Sequence, residues 1–110
     1  MNITLEQAIE IARVVEKQLL LFNYNNAHCA LGGSCLHKGR SDKDVDIIVY
    51  PHKSEYPYSI DKMIELLTLA GFNTFQERDH AAYGDGKTVY LAYYNGTRVD
   101  FFFLEAKHKK

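Results

Sequence analysis

Cysteine occurs only twice in this chain, at Cys29 and Cys35, and that scarcity sets a first boundary. A six-residue offset is not the spacing of zinc ligands, and two cysteines build no disulfide framework. A reduced, cytoplasmic setting is the expectation. An excess of either charge is also missing: 13 Lys and Arg against 14 Asp and Glu leave a formal charge of −1. That removes the electrostatic footprint of a protein that wraps a long nucleic acid, yet says little about binding a small nucleotide. Apolar runs long enough to span a bilayer are lacking, so no membrane association is expected. Met1-Asn2-Ile3-Thr4 does not open like a secretory leader. Internal repeats and linkers are absent as well, and only Lys107-His108-Lys109-Lys110 reads as a solvated, basic end.

What is present suits one compact domain over residues 1–110, because 46% hydrophobic content supplies a core without staples. Thr4 to Phe22 reads as a helix. Thr4 and Gln7 form a capping box, and Leu5, Ala8, Ile9, Ala12, Val15, Leu19 and Leu20 recur near helical spacing. Ala27 to Leu31 suits a short buried strand, and Ser34 to Gly39 a short helix. Asp44 to Tyr50 is rich in β-branched residues and stops at Pro51, as a strand would. A second helix is expected from Tyr58 to Ala70, with Gly71 as its C-terminal cap. Three strands then follow, at Phe72–Glu77, Thr88–Tyr94 and Thr97–Leu104, the last two joined by the hairpin dipeptide Asn95-Gly96. This order predicts an α+β fold of two layers, a mixed β-sheet with helices mainly on one face.

The chemistry concentrates in two places. Leu31-Gly32-Gly33-Ser34 is followed, after the spacer 35–43, by Asp44-Val45-Asp46. Alternate strand residues share a face, so Asp44 and Asp46 project together while Val45, Ile47 and Val49 turn to the other side. Two carboxylates about 5 Å apart repel by a few kcal/mol at an effective dielectric near 20, and a cation between them relieves that cost. Magnesium takes oxygen ligands of this type together with phosphate oxygens. Gly32 and Gly33 allow a sharp turn and close approach of backbone amides to phosphate. Ser34 adds a hydroxyl, while Lys38, Arg40 and Lys43 place cations in the spacer. Arg40 is the first choice among them for phosphate, because its fork binds two oxygens. Asp100 repeats the strand logic within Arg98-Val99-Asp100-Phe101-Phe102-Phe103, sharing a face with Arg98 and Phe102. Beside the Asp44–Tyr50 strand it would complete a three-carboxylate cluster.

Singly, these signals are weak. Gly-Gly-Ser is most often a plain turn, and Asp-x-Asp recurs on solvated strands. Together they resemble the nucleotidyltransferase superfamily related to DNA polymerase beta: a hydrophobic residue, a glycine pair or Gly-Ser, a spacer, Asp-x-Asp, then a distant Asp on a strand. The resemblance covers 27–50 and 97–104 at motif level. It implies the polymerase beta-like fold and transfer of a nucleoside monophosphate from a nucleoside triphosphate to an acceptor hydroxyl, with release of pyrophosphate. It also implies Mg2+, with Mn2+ as the alternative, held by Asp44, Asp46 and Asp100, the third Asp serving the second metal. Gly33, Ser34, Arg40 and Lys43 would bind the triphosphate. The acceptor is open between a protein side chain, an RNA end and a small molecule. Minimal members of this family are often the nucleotidylating half of a toxin–antitoxin pair with a helical partner, which favours a protein acceptor. A second reading keeps the fold but not the chemistry: a nucleotide- or partner-binding module, such as the antitoxin-like half of a two-component system. Three assignments have plain alternatives: Arg98 as a structural partner of Asp100, His37 and His80 as solvated loop residues, and Tyr90, Tyr93 and Tyr94 as hairpin packing.

Overall fold

The computed structural model describes residues 3–32, 40–41, 44–53, 58–78 and 87–104. In chain order the elements are β1 (Ile3–Thr4), α1 (Leu5–Leu21), β2 (Ala27–Gly32), β3 (Arg40–Ser41), β4 (Asp44–Pro51), α2 (Ile60–Ala70), β5 (Phe72–Glu77), β6 (Lys87–Tyr94) and β7 (Thr97–Leu104).

Helix α1 begins where its capping box dictates. The Thr4 hydroxyl accepts from the Gln7 amide at 3.1 Å, and the Thr4 amide donates to the Gln7 side chain at 2.8 Å. Its buried stripe is Ala8, Ile11, Val15, Gln18 and Leu19, so the expected core positions Ile9 and Leu20 lie outside it and are exposed. Gln18 takes a place in that stripe because its amide has a partner: Nε2 donates to the Leu66 carbonyl at 2.8 Å, tying α1 to α2. Helix α2 starts two residues later than expected. Ser59 is its N-cap, and Tyr58 lies outside the helix, fully buried. Gly71 ends α2 in the left-handed region at φ 113°, where a side chain would be strained.

Five strands form one sheet in the order β2-β4-β7-β6-β5, and β1 pairs separately with β3. Strands β4 and β7 are parallel and central; every other pairing in this sheet is antiparallel. The β6–β7 hairpin turns at Asn95 and Gly96, both at positive φ (49° and 82°), which is what a two-residue primed turn requires. Val45, Ile47 and Val49 of β4 and Val99, Phe101 and Phe103 of β7 are wholly buried, and they share one core with the buried faces of α1 and α2. Phe101 packs against Phe72 edge-on at 5.3 Å between centroids. Each such side chain contributes about 1.5–3 kcal/mol through burial. The helices thus claim one face of the sheet and leave the opposite face of β4 and β7 to the carboxylates.

One expectation needs correction. Among the described residues β2 is an edge strand, not a buried one: it pairs with β4 alone, and His28 and Ala30 are exposed. Ile3–Thr4 and Arg40–Ser41, too short to show a pattern in sequence, pair as a small second sheet at the start of α1. The expected short helix 34–39 lies outside the described residues.

Candidate functional site

The parallel register of β4 and β7 builds the site. Asp46 stands directly opposite Asp100, Asp44 opposite Arg98, and on the other flank Gly32 opposite Asp46. Because a strand repeats every two residues, Asp44, Asp46, Asp100 and Arg98 all emerge on the face opposite α1 and α2. One carboxylate oxygen from each of the three aspartates lies within 4.8 Å of the others. The adjacency expected for Asp100 is therefore the geometry observed.

Arg98 is woven into this cluster more tightly than its sequence position suggested. Its Nε donates to Asp100 Oδ1 at 3.0 Å and its Nη2 to Oδ2 at 3.3 Å, a two-pronged clamp. The same Nε lies 3.9 Å from Asp44 Oδ2. Asp100 is only 7% exposed, so the clamp both satisfies a buried carboxylate and fixes its orientation.

Three carboxylates against one guanidinium leave an excess of two negative charges when all are ionised, and Asp46 stands among them half-buried. Its carboxyl is pushed up to about 6, first by burial, then by the negative charges of Asp44 and Asp100, with Arg98 opposing. The donor set is all oxygen and the charge deficit is that of one divalent cation. Asp44, Asp46 and Asp100 therefore fit a hard divalent metal ion such as Mg2+.

Gly32 lies in β2 without a positive φ. What its lack of a side chain provides is room: a Cβ there would come within 2.9 Å of Ile48 Cδ1, beside the carboxylate face. In the structure Gly32 is the last residue of β2, and the turn expected at Gly32-Gly33 falls on residues outside the described ones. Arg40 is placed by its backbone in β3, opposite Thr4, so the spacer passes the N-terminus of α1 before returning to Asp44. Gly33, Ser34, Lys38 and Lys43, like His37 and His80, lie outside the described residues. Tyr94 packs on Phe72 at 4.7 Å, and Tyr90 packs on Phe103 at 5.9 Å with its hydroxyl on Glu77, which is hairpin packing as weighed.

Sequence reasoning gave Arg98 only as a structural partner of Asp100, and that pair is observed; its contact with Asp44 was not anticipated. The signal was available in the period of two that puts it on the face of Asp100, but its reach to Asp44 depends on pairing between distant strands.

No family model matches the chain, and no curated protein matches it by sequence. Among solved structures it is similar to Cid1 in complex with the UTP analogue UMPNPP, at 17% identity and a TM-score of 0.51. That likeness covers 93% of this chain and 32% of the other, so the chain spans about a third of the length of that protein. At this identity the likeness is one of fold, and the fold is the α+β nucleotidyltransferase fold that the motif implied.

Proposed function

We propose that this chain is a nucleotidyltransferase that moves a nucleoside monophosphate from a triphosphate to an acceptor hydroxyl. The observation that carries the reading is the convergence of Asp44, Asp46 and Asp100 from two adjacent parallel strands to within 4.8 Å. Exposed acidic groups often cluster without meaning. Here one is 7% exposed, one has its carboxyl pushed up to about 6, and all three face away from the core on a fold of this class.

Asp44, Asp46 and Asp100 would hold the divalent ion, whose contribution when bound is neutralisation of phosphate charge. The chain's own groups do the rest. Arg98 locks Asp100 in one orientation, so the third carboxylate keeps its place as the substrate arrives. In the reaction the acceptor oxygen bonds to the α-phosphorus and the bond to the bridging oxygen of pyrophosphate breaks. The acceptor proton passes to a carboxylate of the cluster or to water beside it. No covalent intermediate is required. Gly33, Ser34, Arg40 and Lys43 remain the proposed contacts of the triphosphate. Protein, RNA ends and small molecules remain the acceptor classes, and a second protein subunit is the proposed source of any missing substrate contacts.

Incubation with Mg2+, each of the four α-labelled nucleoside triphosphates and host lysate tests the reading. Label transferred by the wild type and not by Asp44→Asn/Asp46→Asn supports it. Triphosphate binding without transfer under any of these conditions turns the assignment to a nucleotide- or partner-binding module.

A further inference from the structure

We infer that His28 and His52 form a second metal site, selective for late transition-metal ions and separate from the carboxylate cluster. The pair is created by the register of the edge strand. His28 stands opposite Tyr50, and the ladder continues past the end of β4 through the His52 amide, which donates to the Asn26 carbonyl at 2.9 Å. His28 and His52 are therefore diagonal neighbours across an antiparallel pair, a distance that long side chains bridge. Their rings meet: His28 Nε2 lies 2.8 Å from His52 Nδ1, with centroids 5.0 Å apart. Tyr50 closes one side, its ring 5.6 Å from that of His28.

The separation of the two imidazole nitrogens matches that of a chelating pair, and a turn of the exposed rings would bring both lone pairs onto one ion beside the N···N line. Metal–nitrogen bonds of about 2.0–2.1 Å at a right angle put the two nitrogens about 2.9 Å apart. Binding would break the hydrogen bond between the rings, the donor nitrogen taking up the ion once its proton moves to the other ring nitrogen or to water, and both rings are exposed, leaving the other coordination positions to water. A right-angled imidazole pair suits the tetragonal ions Ni2+ and Cu2+, whereas Mg2+ prefers oxygen. Occupancy would clip β2 to β4. These strands carry Gly32 and Asp46 toward their other end, about 13 Å along β4 from Tyr50 at 3.3 Å per residue. The cluster of aspartates and the histidine pair thus lie on one sheet face but differ in ligand chemistry.

The test is calorimetric titration of the full chain with Ni2+ in excess Mg2+, which saturates oxygen sites. Wild type and Asp46→Asn should bind Ni2+ alike, and His28→Asn and His52→Asn should each lose on the order of a hundredfold in affinity as the chelate becomes a single ligand. Thermal melts should show Ni2+ raising the midpoint of the wild type and not of the two histidine variants. Both substituted side chains are exposed, and circular dichroism identifies a variant that has unfolded. Equal Ni2+ affinity in the wild type and both histidine variants, or no Ni2+ binding by the folded wild type, overturns the assignment.

Discussion

Arg98 grips Asp100 with two nitrogens, at 3.0 and 3.3 Å, from a position two residues earlier on the same strand. The guanidinium, held cationic first of all by that bond, is the counter-charge that the structure places inside the aspartate cluster. Arg98→Met should therefore destabilise the metal-free protein by about 2 kcal/mol, as expected when one partner of a partly buried ion pair is removed. Saturating Mg2+ should recover most of the loss, because the ion supplies the missing charge. Melting curves with chelator and with Mg2+ check this: the Mg2+-induced rise should be larger in the variant than in the wild type. An equal rise in both would mean that Arg98 and the ion do not compensate the same charge.

Asp46 gives the site a pH dependence of definite sign. Its carboxyl titrates near 6 in the folded chain against an ordinary value of 3.8, so the folded state binds that proton more tightly than the unfolded one. The stability this group contributes is fully present below about pH 4 and is lost as the pH rises through about 6. Without metal, Asp46→Asn should flatten the stability profile across that window and be the more stable protein at pH 7. The side chain is only half-buried, so screening reduces the difference to about 1 kcal/mol. With saturating Mg2+ the ranking should reverse. Chemical denaturation at pH 4, 5, 6 and 7 reads both effects, and a wild type that gains stability from pH 4 to 7 without metal would contradict the assignment.

Much of this was legible in sequence because it is local. The Thr4–Gln7 capping box, the Gly71 cap and the Asn95-Gly96 turn each state their own geometry in two to four residues. The alternation in Asp44–Pro51 and Thr97–Leu104 separates carboxylates from core without reference to the rest of the chain. What no local pattern contains is which strand lies beside which. That Asp46 meets Asp100, that β2 is an edge, and that His28 meets His52 are all consequences of strand order and register. Asp100 was anticipated only because the motif carried the pairing with it. The histidine pair had no motif and went unseen. Gln18 and Tyr58 illustrate the same limit in the core: polar or aromatic residues whose burial is explained by a carbonyl far away in sequence.

Tyr58 ties the two site-bearing strands together at the ends opposite the aspartates. Its hydroxyl lies 2.9 Å from both the Val49 carbonyl of β4 and the Leu104 carbonyl of β7, and its one proton is shared between them. Tyr58→Phe keeps the buried ring and removes that link, so it should cost about 1–2 kcal/mol. Amide exchange near Val49 and Leu104 should accelerate in the variant while exchange in α1 stays at the wild-type rate once global stability is allowed for. A uniform change across the fold would show that the hydroxyl does not act on this strand pair.

Among the described residues Thr74 is the one β-branched residue at positive φ. It sits at φ 59° in β5, an edge strand, where pairing with β6 shifts register between Asn73 and Gln76. A β-branched residue in the left-handed region is strained by about 1 kcal/mol or more, and asparagine occupies that region at much lower cost. The Thr74 hydroxyl contacts only the neighbouring Asn73 side chain, at 2.9 Å among the described residues, and is exposed. Thr74→Asn should therefore raise stability by about 1 kcal/mol, or about 4–8 °C in melting midpoint for a chain of this size. Thr74→Gly should gain less, because glycine also loosens the unfolded chain. Thr74→Val keeps the branch and should gain nothing. A ranking with valine above asparagine would mean that the bulge is stabilised by the branched side chain, and that β5 does not hold strain at this residue.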